Sequence, residues 1–441
     1  MLAYRAGAPI LASRFLADVA RVGAALGAAG HVLNLCDDRY RFTVGFAASL
    51  AAGKVSLLPS TRTPEVIAQL QRLAPDAVCL TDEDPCDLAL PLVRFPESVP
   101  TAGGGGETLV PALPRIDPQR SAAWLFTSGS TGTPVPHEKT LGKLLKCMHV
   151  IAQRLALAPG VSHAIVATVP PQHMYGFEAS VLLPLASGNT LCAERPFYPA
   201  DVCAALAAVP RPRVLVTTPL HLRALMASDL PVPDTDLIVS ATAPLSVELA
   251  TQVEQRCRTR LMEIYGSTET GSIAARRPTA TPEWQLWPEV GLEPRDDGEV
   301  WALGGHIERQ TLLSDVIEVT GSDRFLLHGR AADLVNIAGK RSSLAYLNHQ
   351  LNSIPGVLDG AFFHGNAAAI DAPVTRVGAC VVAPGLDAAA IAAELRRRID
   401  PVFLPRPLLL VASLPRTSTG KLPQEALRSL ASAHQKPGPA R

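Results

Sequence analysis

A run of small hydroxyl-bearing residues and glycines is the part of the chain best suited to hold an anion. It reads Thr127-Ser128-Gly129-Ser130-Thr131-Gly132-Thr133-Pro134. Glycines let the backbone turn tightly, so that N–H groups and hydroxyls can point at one ligand. The run does not end in the Lys-Ser/Thr pair of a Walker A loop. It predicts a polyphosphate-binding loop, and an ordinary Ser/Gly linker is the alternative.

Two further segments combine carboxylates with polar neighbours. The first is Tyr265-Gly266-Ser267-Thr268-Glu269, whose glutamate offers the oxygen ligand that a hard cation such as Mg²⁺ needs. The second contains Asp315 and Arg330, the latter at the start of a run that continues to Arg341. An aspartate accepts hydrogen bonds from hydroxyl groups, and an arginine donates hydrogen bonds to them. The alternatives are a plain turn at a strand end and a surface ion pair.

A lysine is the fourth candidate for chemistry. Lys421 ends the segment Pro415-Arg416-Thr417-Ser418-Thr419-Gly420-Lys421. A flexible ammonium can follow the negative charge that builds up when a carboxylate oxygen attacks phosphorus. Lys421 could therefore serve in catalysis, and a solvated surface lysine is the alternative.

In their order along the chain, the four segments resemble the motifs of the adenylate-forming superfamily. This superfamily comprises acyl-CoA synthetases, aryl-CoA ligases and peptide-synthetase adenylation domains, and its motifs read T-S-G-S/T-T-G-x-P-K, Y-G-x-T-E, G-R-x-D-D with a later G-x-R, and P-R-T-x-x-G-K. The resemblance covers roughly residues 120 to 425. It implies an enzyme that uses ATP and Mg²⁺ to convert a carboxylic acid to an acyl-adenylate, and then to a thioester.

The resemblance also implies roles for individual residues. Tyr265 would stack on adenine, Thr268 would meet the α-phosphate and Glu269 would help to hold magnesium. Asp315 would bind the ribose, and Lys421 would bridge the reacting carboxylate and the α-phosphate. The other predicted nucleotide contacts are Thr127, Ser128, Gly129, Ser130, Thr131, Gly132, Gly266, Ser267 and Arg330.

Two more segments are candidates for the wall of an acid-binding pocket. They stand where the family has an aromatic-and-glycine segment and a glycine-rich turn before a proline, and they read His173-Met174-Tyr175-Gly176-Phe177 and Ser240-Ala241-Thr242-Ala243-Pro244-Leu245. The predicted substrate contacts are His173, Tyr175, Gly176, Ala241 and Thr242. A turn histidine with satisfied hydrogen bonds and aromatic rings of the core are the alternatives.

The sequence departs from the family pattern at two positions. Val135 stands where the family's loop has a lysine, and His137 or Lys139 could supply the missing cation. Ala332 replaces the first of two acidic residues at the family's usual pivot between domains, and only the second, Asp333, is present. Alanine can still change its backbone dihedral angles, so a rotation between domains stays expected.

Strand-length apolar runs alternate with helix-like stretches between about residues 120 and 270, which is the pattern of parallel β-α-β units. Strands are predicted at 122–126, 164–167, 214–216 and 237–239. A smaller pattern begins after about residue 329. The sequence therefore predicts an α/β fold with a large N-terminal domain, 1–328, of doubly wound and mostly parallel sheets. A small mobile α+β C-terminal domain, 329–441, would carry Lys421.

Composition excludes several classes of protein. The 441 residues exceed the size at which one hydrophobic core stops growing. Forty basic and 40 acidic residues cancel, which argues against a nucleic-acid partner. The sequence has no apolar stretch long enough for stable membrane insertion. Eight cysteines without a C-x-x-C pair, and no convincing signal peptide, favour reduced thiols in the cytoplasm.

Together these features predict an ATP-dependent acid–thiol ligase that forms AMP. The compact chain and divergent loop resemble ligases that load aromatic acids, such as the hydroxybenzoate-activating enzymes of aryl-polyene and xanthomonadin synthesis. That resemblance favours the phosphopantetheine of an acyl carrier protein over coenzyme A as the acceptor. A fatty acyl-CoA ligase is one alternative. A non-catalytic adenylate-binding regulatory protein is another, motivated by Val135 and Ala332, and the presence of both Glu269 and Lys421 argues against it.

Overall fold

The chain divides into two compact units. The computed structural model describes all residues except 60, 84–85, 87, 97–113, 129–133, 158–159, 297, 331–333, 338–339, 365–375, 418–421 and 436–441. The first unit comprises Met1–Leu292 and Ala302–Thr311, and the second comprises Glu293–Trp301 and Leu312–Arg441. Residues 328 and 329, between which the sequence predicts a domain boundary, both lie in the second unit, and the domain boundary stays a prediction.

Strands of the first unit form two sheets. In chain order these strands are β1 (Ala3–Arg5), β2 (Ala8–Ile10), β3 (His31–Asn34), β4 (Val55–Leu58), β5 (Val78–Thr81), β6 (Leu92–Arg94), β7 (Ser121–Ser128), β8 (Pro134–Thr140), β9 (Ala164–Ala167), β10 (Thr190–Cys192), β11 (Arg213–Thr217), β12 (Leu237–Ser240), β13 (Arg260–Ser267), β14 (Gly271–Arg276) and β15 (Trp284–Leu286). One sheet has the order β6-β5-β3-β4-β7-β8, and the other runs β15-β14-β13-β12-β11-β9-β10-β1-β2 within this unit. Central neighbours are parallel, and the outer hairpins are antiparallel.

Helices connect the parallel strands. They are α1 (Ala12–Ala25), α2 (Arg39–Ala51), α3 (Pro64–Leu73), α4 (Leu141–Arg154), α5 (Met174–Phe177), α6 (Leu183–Ser187), α7 (Pro199–Ala207), α8 (Pro219–Ala227) and α9 (Val247–Cys257), with a π-helical segment, Glu178–Leu182, between α5 and α6. Asp38, Thr63 and Ser246 cap α2, α3 and α9 by accepting from a backbone N–H of the first turn. Within the described ranges, no helix is both long and apolar enough to cross a membrane.

The strands predicted from apolar runs are present. The predicted strand 164–167 is β9, and the runs 122–126, 214–216 and 237–239 lie within β7, β11 and β12. Every residue of β9 and β12 is buried, as expected for central parallel strands with both faces covered. The predicted α/β fold class, with doubly wound and mostly parallel sheets, is confirmed.

The second unit is a smaller α+β structure. Its elements are β19 (Asp315–Val319), β20 (Arg324–Arg330), β21 (Leu334–Ile337), β22 (Lys340–Ser343), α10 (Leu344–Asn352), β23 (Asp359–His364), β24 (Val377–Val382), α11 (Ala388–Arg398), β25 (Leu408–Leu410) and α12 (Gln424–Gln435), and the short strands β16 (Val290–Pro294), β17 (Val300–Gly304) and β18 (Thr311–Leu312) each include residues of both units. The sheet β23-β24-β25 buries side chains on both faces. Leu347 of α10 and Leu395 of α11 belong to the core of one face, and Leu427 of α12 belongs to that of the other.

A buried arginine fixes helix α2 to the end of strand β9. The side chain of Arg39 is 0% exposed, and its guanidinium donates to the backbone oxygens of Ala167 at 2.8 Å and Val169 at 3.0 Å, and to the hydroxyl of Ser180. Burial lowers the pKa of Arg39 to about 10, so the guanidinium keeps its charge at neutral pH. Because α2 contacts β3 and β4 of one sheet and β9 belongs to the other, this side chain joins the two halves of the first unit.

Replacing Arg39 with methionine should destabilise the first unit. Arg39→Met leaves buried carbonyl groups without donors, so we expect the free energy of unfolding to fall by on the order of 3 kcal/mol. Urea denaturation followed by tryptophan fluorescence measures this change. The matched control is Arg41→Met, since Arg41 is part-exposed and lies 3.7 Å from Asp82, and we expect a loss below about 1 kcal/mol. Equal losses in the two variants would contradict the linking role of Arg39.

Candidate functional site

The hydroxyl-rich run joins the two strands of an antiparallel hairpin, β7 and β8. Thr127 pairs with Val135, and Ser128 pairs with Pro134, at the end of the hairpin from which the run continues. Gly129, Ser130, Thr131 and Gly132 lie outside the described residues, as does the side chain of Ser128. The hairpin therefore fixes both ends of the predicted phosphate loop.

His137 connects this hairpin to the predicted metal-binding turn. Its Nε2 atom lies 2.8 Å from Oγ1 of Thr127 and 3.6 Å from Oε1 of Glu269. Burial lowers the pKa of His137, and the nearby Glu269 carboxylate partly opposes this effect. The imidazole is therefore mainly neutral at pH 7, able to donate one hydrogen bond and accept another. Residues predicted to meet phosphate and metal are thus neighbours.

Lys139 lies on the same face of the same strand, two positions further on, and is buried. Its side chain is 4% exposed, and its Nζ atom donates to the backbone oxygen of Glu269 at 2.7 Å. Burial lowers the pKa of Lys139, while the carboxylates of Glu178 and Glu308 raise it. Val135, at the position of the family's loop lysine, leaves 44% of its side chain exposed. Lys139 therefore holds the backbone of the turn at Glu269, whereas His137 lies beside the hydroxyl of Thr127.

The turn between β13 and β14 carries Thr268 and Glu269. It begins at a bulge between Tyr265 and Gly266, where a Cβ atom on Gly266 would lie 2.2 Å from the backbone oxygen of Gly271. Side chains of Ser267 and Thr270 close the turn, with their hydroxyls 3.1 Å apart. Glycine is required at position 266 because the two strands approach so closely there. The turn holds the half-exposed carboxylate of Glu269 near the loop.

Tyr265, the residue predicted to stack on adenine, packs against Trp284, which in turn contacts a buried ion pair. Its ring centroid lies 5.6 Å from that of Trp284, and the guanidinium of Arg276 lies 4.5 Å above the same tryptophan. Arg276 pairs at 2.7 Å with Glu263, which is 3% exposed and also accepts from the N–H of Leu245 at 3.0 Å. One ion pair thus supports both the tyrosine and the loop that contains Ala241 and Thr242.

The first predicted pocket segment forms helix α5. His173 precedes the helix, and the hydroxyl of Tyr175 donates to the backbone oxygen of Val239 in β12 at 2.9 Å. Burial raises the pKa of Tyr175, which keeps the phenol protonated. A Cβ atom on Gly176 would lie 1.9 Å from the backbone oxygen of Pro170, so only glycine fits. The segment is therefore fixed against the carboxyl end of β12.

The second predicted pocket segment follows β12 directly. Ala241 is 6% exposed, and Thr242 has a φ of +80°. A β-branched residue in this conformation is strained, because its side chain crowds the backbone. Such strain is concentrated in protein structures at functional sites. The carboxyl ends of β12 and β13 thus carry the second pocket segment and the metal turn, at one edge of a largely parallel sheet.

The second unit contains the other predicted nucleotide contacts. Asp315 and Arg330 are paired in the β19–β20 hairpin. The two residues predicted to bind one ribose therefore lie opposite each other on neighbouring strands. The side chain of Arg330 lies outside the described residues, as do Ala332, Asp333 and Lys421. Arg416, in the same motif as Lys421, makes two hydrogen bonds of 2.7 Å to the carboxylate of Asp359.

A set of buried polar residues behind the Glu269 turn was not expected from the sequence. Glu178 is 1% exposed and accepts from the N–H of Ser272 at 3.2 Å and from its hydroxyl. The thiol of Cys147 donates to the same carboxylate at 3.6 Å. His306 is also buried, and the half-buried side chains of Lys143 and Glu308 complete the set. Glu178 could have been noticed in the sequence, because it is the one charged residue in the apolar run 177–183. Nothing in the sequence distinguishes His306 or Glu308 in this way.

Comparison with known proteins gives a match over most of the first unit. A sequence model of the family described as AMP-binding enzyme matches residues 14–296. This span contains the hydroxyl-rich run, the Glu269 turn and both predicted pocket segments. The match therefore covers the elements that meet in the candidate site of the first unit.

Individual relatives and solved structures extend the match. The 4-coumarate–CoA ligase of Rhodobacter capsulatus is 28% identical over 302 residues, which cover 67% of this chain and 73% of that protein. ATP-bound MatB from Rhodopseudomonas palustris has a TM-score of 0.82 at 19% identity, covering 99% of this chain and 96% of that chain. A benzoate CoA ligase from Burkholderia xenovorans LB400 has a TM-score of 0.76 at 18% identity, covering 97% and 96%. The two structures share the fold of this chain.

Removing the ammonium of Lys139 should loosen the metal turn. Lys139→Met keeps the length of the side chain but removes the donor to the Glu269 carbonyl. We expect the Mg²⁺ concentration for half-maximal, acid-dependent release of pyrophosphate to rise about tenfold, as the loss of a charged hydrogen bond implies. A Mg²⁺ titration of the initial rate measures it. The control is Lys146→Met, whose ammonium pairs with Glu289 at the surface. An unchanged Mg²⁺ midpoint in Lys139→Met would rule out this positioning role.

Relieving the strain at Thr242 should stabilise the protein. Glycine adopts a φ of +80° without crowding, so we expect Thr242→Gly to raise the free energy of unfolding by about 1 kcal/mol. The control is Thr251→Gly inside helix α9, where glycine should instead lower stability because of its poor helix propensity. Urea denaturation compares both variants with the wild type. A loss of stability in Thr242→Gly would show that contacts of the threonine outweigh its backbone strain.

Proposed function

Because this chain belongs to the AMP-binding enzyme family, we propose that it is an AMP-forming acid–thiol ligase for an aromatic carboxylic acid. In the first step a carboxylate oxygen attacks the α-phosphorus of ATP, which forms the acyl-adenylate and releases pyrophosphate. In the second step a thiolate attacks the acyl carbon, which forms the thioester and releases AMP. Both steps need reactants that are held in line, and positioning supplies much of the rate.

One observation carries this proposal. The imidazole of His137 lies between the hydroxyl of Thr127, at the entry of the phosphate loop, and the carboxylate of Glu269, at distances of 2.8 Å and 3.6 Å. A Mg²⁺ ion in a nucleotide site uses one or two protein carboxylates together with phosphate oxygens. Glu269 is a suitable carboxylate, because it is half-exposed and lies on a turn braced by Lys139.

In this proposal, different residues of the first unit bind different parts of the nucleotide. When bound, Mg²⁺ supplies positive charge that neutralises the phosphate oxygens during transfer. Thr127 and the loop donate to the polyphosphate, and Thr268 donates to the α-phosphate. His137 takes the place of the family's loop lysine as a hydrogen-bond donor, since Lys139 is committed to the Glu269 carbonyl. Tyr265 stacks on adenine, with its ring supported by Trp284.

The remaining roles belong to residues of the second unit in this proposal. Asp315 and Arg330 bind the ribose, which their pairing in one hairpin supports. Lys421 bridges the acid carboxylate and the α-phosphate. Its segment is anchored at one end by the two hydrogen bonds of Arg416 to Asp359. Rotation of the domain from about residue 329 onwards would bring Lys421 in for adenylation and withdraw it for thioester formation.

The identity of the acid and of the thiol belongs to the proposal as well. An aromatic acid is favoured because the 28% identical relative is, by its name, a ligase of 4-coumarate and coenzyme A. Within that class we propose a hydroxybenzoate, transferred to the phosphopantetheine of an acyl carrier protein or to coenzyme A. A fatty acid is the second candidate. The predicted location of the reaction is the cytoplasm, which the eight free cysteine thiols support.

The proposal is tested by measuring pyrophosphate with ATP, Mg²⁺ and a panel of hydroxybenzoates, cinnamates and fatty acids. We expect release that depends on one aromatic acid, and a thioester when the correct thiol is added. Coenzyme A and a phosphopantetheinylated carrier protein, supplied separately, identify the acceptor. Measurable binding of AMP without pyrophosphate release from any acid would instead favour a regulatory adenylate-binding protein.

Replacing Lys421 with alanine should abolish adenylate formation. The variant loses the cation that bridges carboxylate and α-phosphate, so we expect acid-dependent ATP–pyrophosphate exchange to fall by at least about 100-fold. ATP affinity, measured by calorimetry, should change by less than about threefold. Arg428→Ala, at an exposed position of helix α12, is the control and should keep normal exchange. Normal exchange in Lys421→Ala would remove Lys421 from the mechanism.

A further inference from the structure

A small polar cavity lies directly behind the metal turn. Its volume is about 10 Å³, close to the space that one buried water molecule needs. Its wall includes Met174 from the first predicted pocket segment, and Thr270 and Gly271, which follow Glu269. The cavity therefore borders both the segment proposed to hold the acid and the turn proposed to hold the metal.

Gly271 keeps this space open. The residue has a φ of +73°, and a Cβ atom built on it would lie 2.8 Å from Oε1 of Glu178, 3.3 Å from Cε of Met174 and 3.6 Å from Nε2 of His306. A carboxylate oxygen, a thioether methyl group and a ring nitrogen thus converge on one point. Any side chain at position 271 would fill that point.

One polar atom of the cavity wall lacks a partner. His306 is 6% exposed, and among the described residues its Nε2 atom has no hydrogen-bond partner. Burial lowers the pKa of His306 to about 4, so the ring is neutral at pH 7. A buried polar atom without a partner is destabilising, and a ligand group that pairs with it would recover the lost hydrogen bond.

The charges around the cavity favour a neutral ligand group. The wall contains two lysines, Lys139 and Lys143, and two glutamates, Glu178 and Glu308, so its formal charges are balanced. A second carboxylate or an ammonium on the ligand would add an unpaired charge in a buried site, which is costly. A neutral group that both donates and accepts can pair with the carboxylate of Glu178 and with the ring of His306. A hydroxyl group has this property and the size of the space.

We infer that this cavity receives a hydroxyl group at the far end of the acid, and that the enzyme therefore selects hydroxylated acids over their unsubstituted counterparts. The inference rests on the proposed function and adds a recognition site to it. An unsubstituted acid leaves His306 and Glu178 facing an apolar group. Sites built to hydrogen-bond a substrate reject the analogue that lacks the bonding group much more strongly than hydrophobic pockets reject an added hydroxyl.

Matched pairs of acids test the inference in the wild-type enzyme. We would measure kcat/KM for acid-dependent pyrophosphate release with benzoate against meta- and para-hydroxybenzoate, and with octanoate against ω-hydroxyoctanoate. The expected result is a preference of at least about tenfold for one hydroxylated acid over its counterpart, as one buried hydrogen bond implies. Equal kcat/KM values within every active pair would overturn the inference while leaving the proposed ligase intact.

Two variants show whether the cavity causes the preference. His306→Phe keeps an aromatic ring but removes the hydrogen-bonding nitrogen, and we expect the preference to fall to within about twofold, with kcat/KM for the unsubstituted acid kept or raised. His306→Leu also removes the hydrogen-bonding nitrogen, and it provides the same test if His306→Phe does not fold. Lys146→Met, on the exposed side of α4, is the control and should keep the wild-type preference.

Failure of the inference and failure of the proposed function give different results. A proportional loss of kcat/KM for both members of a pair in His306→Phe and His306→Leu would mean that the cavity only supports the fold, and the inference would be wrong. No pyrophosphate release by the wild type with any acid would contradict the proposed function, and the inference with it. Loss of selectivity in the cavity variants alone, with unchanged melting temperature, is the result that supports it.

Discussion

The rest of the site in the first unit depends on how the buried ammonium of Lys139 is bound by its partners. A cation that is 4% exposed must be compensated, and Lys139 is held by the backbone oxygen of Glu269 and by the field of Glu178 and Glu308. These partners come from the turn between β13 and β14, from the segment after helix α5 and from the segment after β17, where Glu308 accepts from Thr140, the residue that precedes α4. One desolvated charge therefore aligns the phosphate hairpin, the metal turn and the pocket wall.

Much of the fold was predictable because it rests on local patterns. The buried runs that became β9 and β12, and the helical spacing in α4, reflect burial on both faces of a strand or on one face of a helix. The boundary between units was less predictable, because it depends on packing between elements that are distant in sequence. His137 and Glu269 come from two different motif regions and lie 3.6 Å apart, and the roles predicted for the motif residues stay predictions.

The choice between His137 and Lys139 could not be made from sequence. Both residues lie on one strand, two positions apart, and share one face of the hairpin. Their environments differ only because distant residues pack beneath Lys139, among them Glu178 and Glu308. The cavity beside Gly271 and the place of His306 in its wall could not be predicted for the same reason, since residues distant in sequence form that wall. The predicted enzyme class is confirmed by the family match, whereas the acid, the acceptor and the roles of Lys421 and of the loop glycines stay predictions.

The central claim is that this chain joins a carboxylic acid to AMP. The most direct measurement is to incubate the enzyme with ATP, Mg²⁺ and the preferred acid in the absence of any thiol, and to identify the enzyme-bound product by mass spectrometry. We predict an acyl-adenylate in an amount close to one equivalent of enzyme, together with pyrophosphate. Formation of ADP and phosphate, or an AMP-containing product that appears equally without the acid, would contradict the claim.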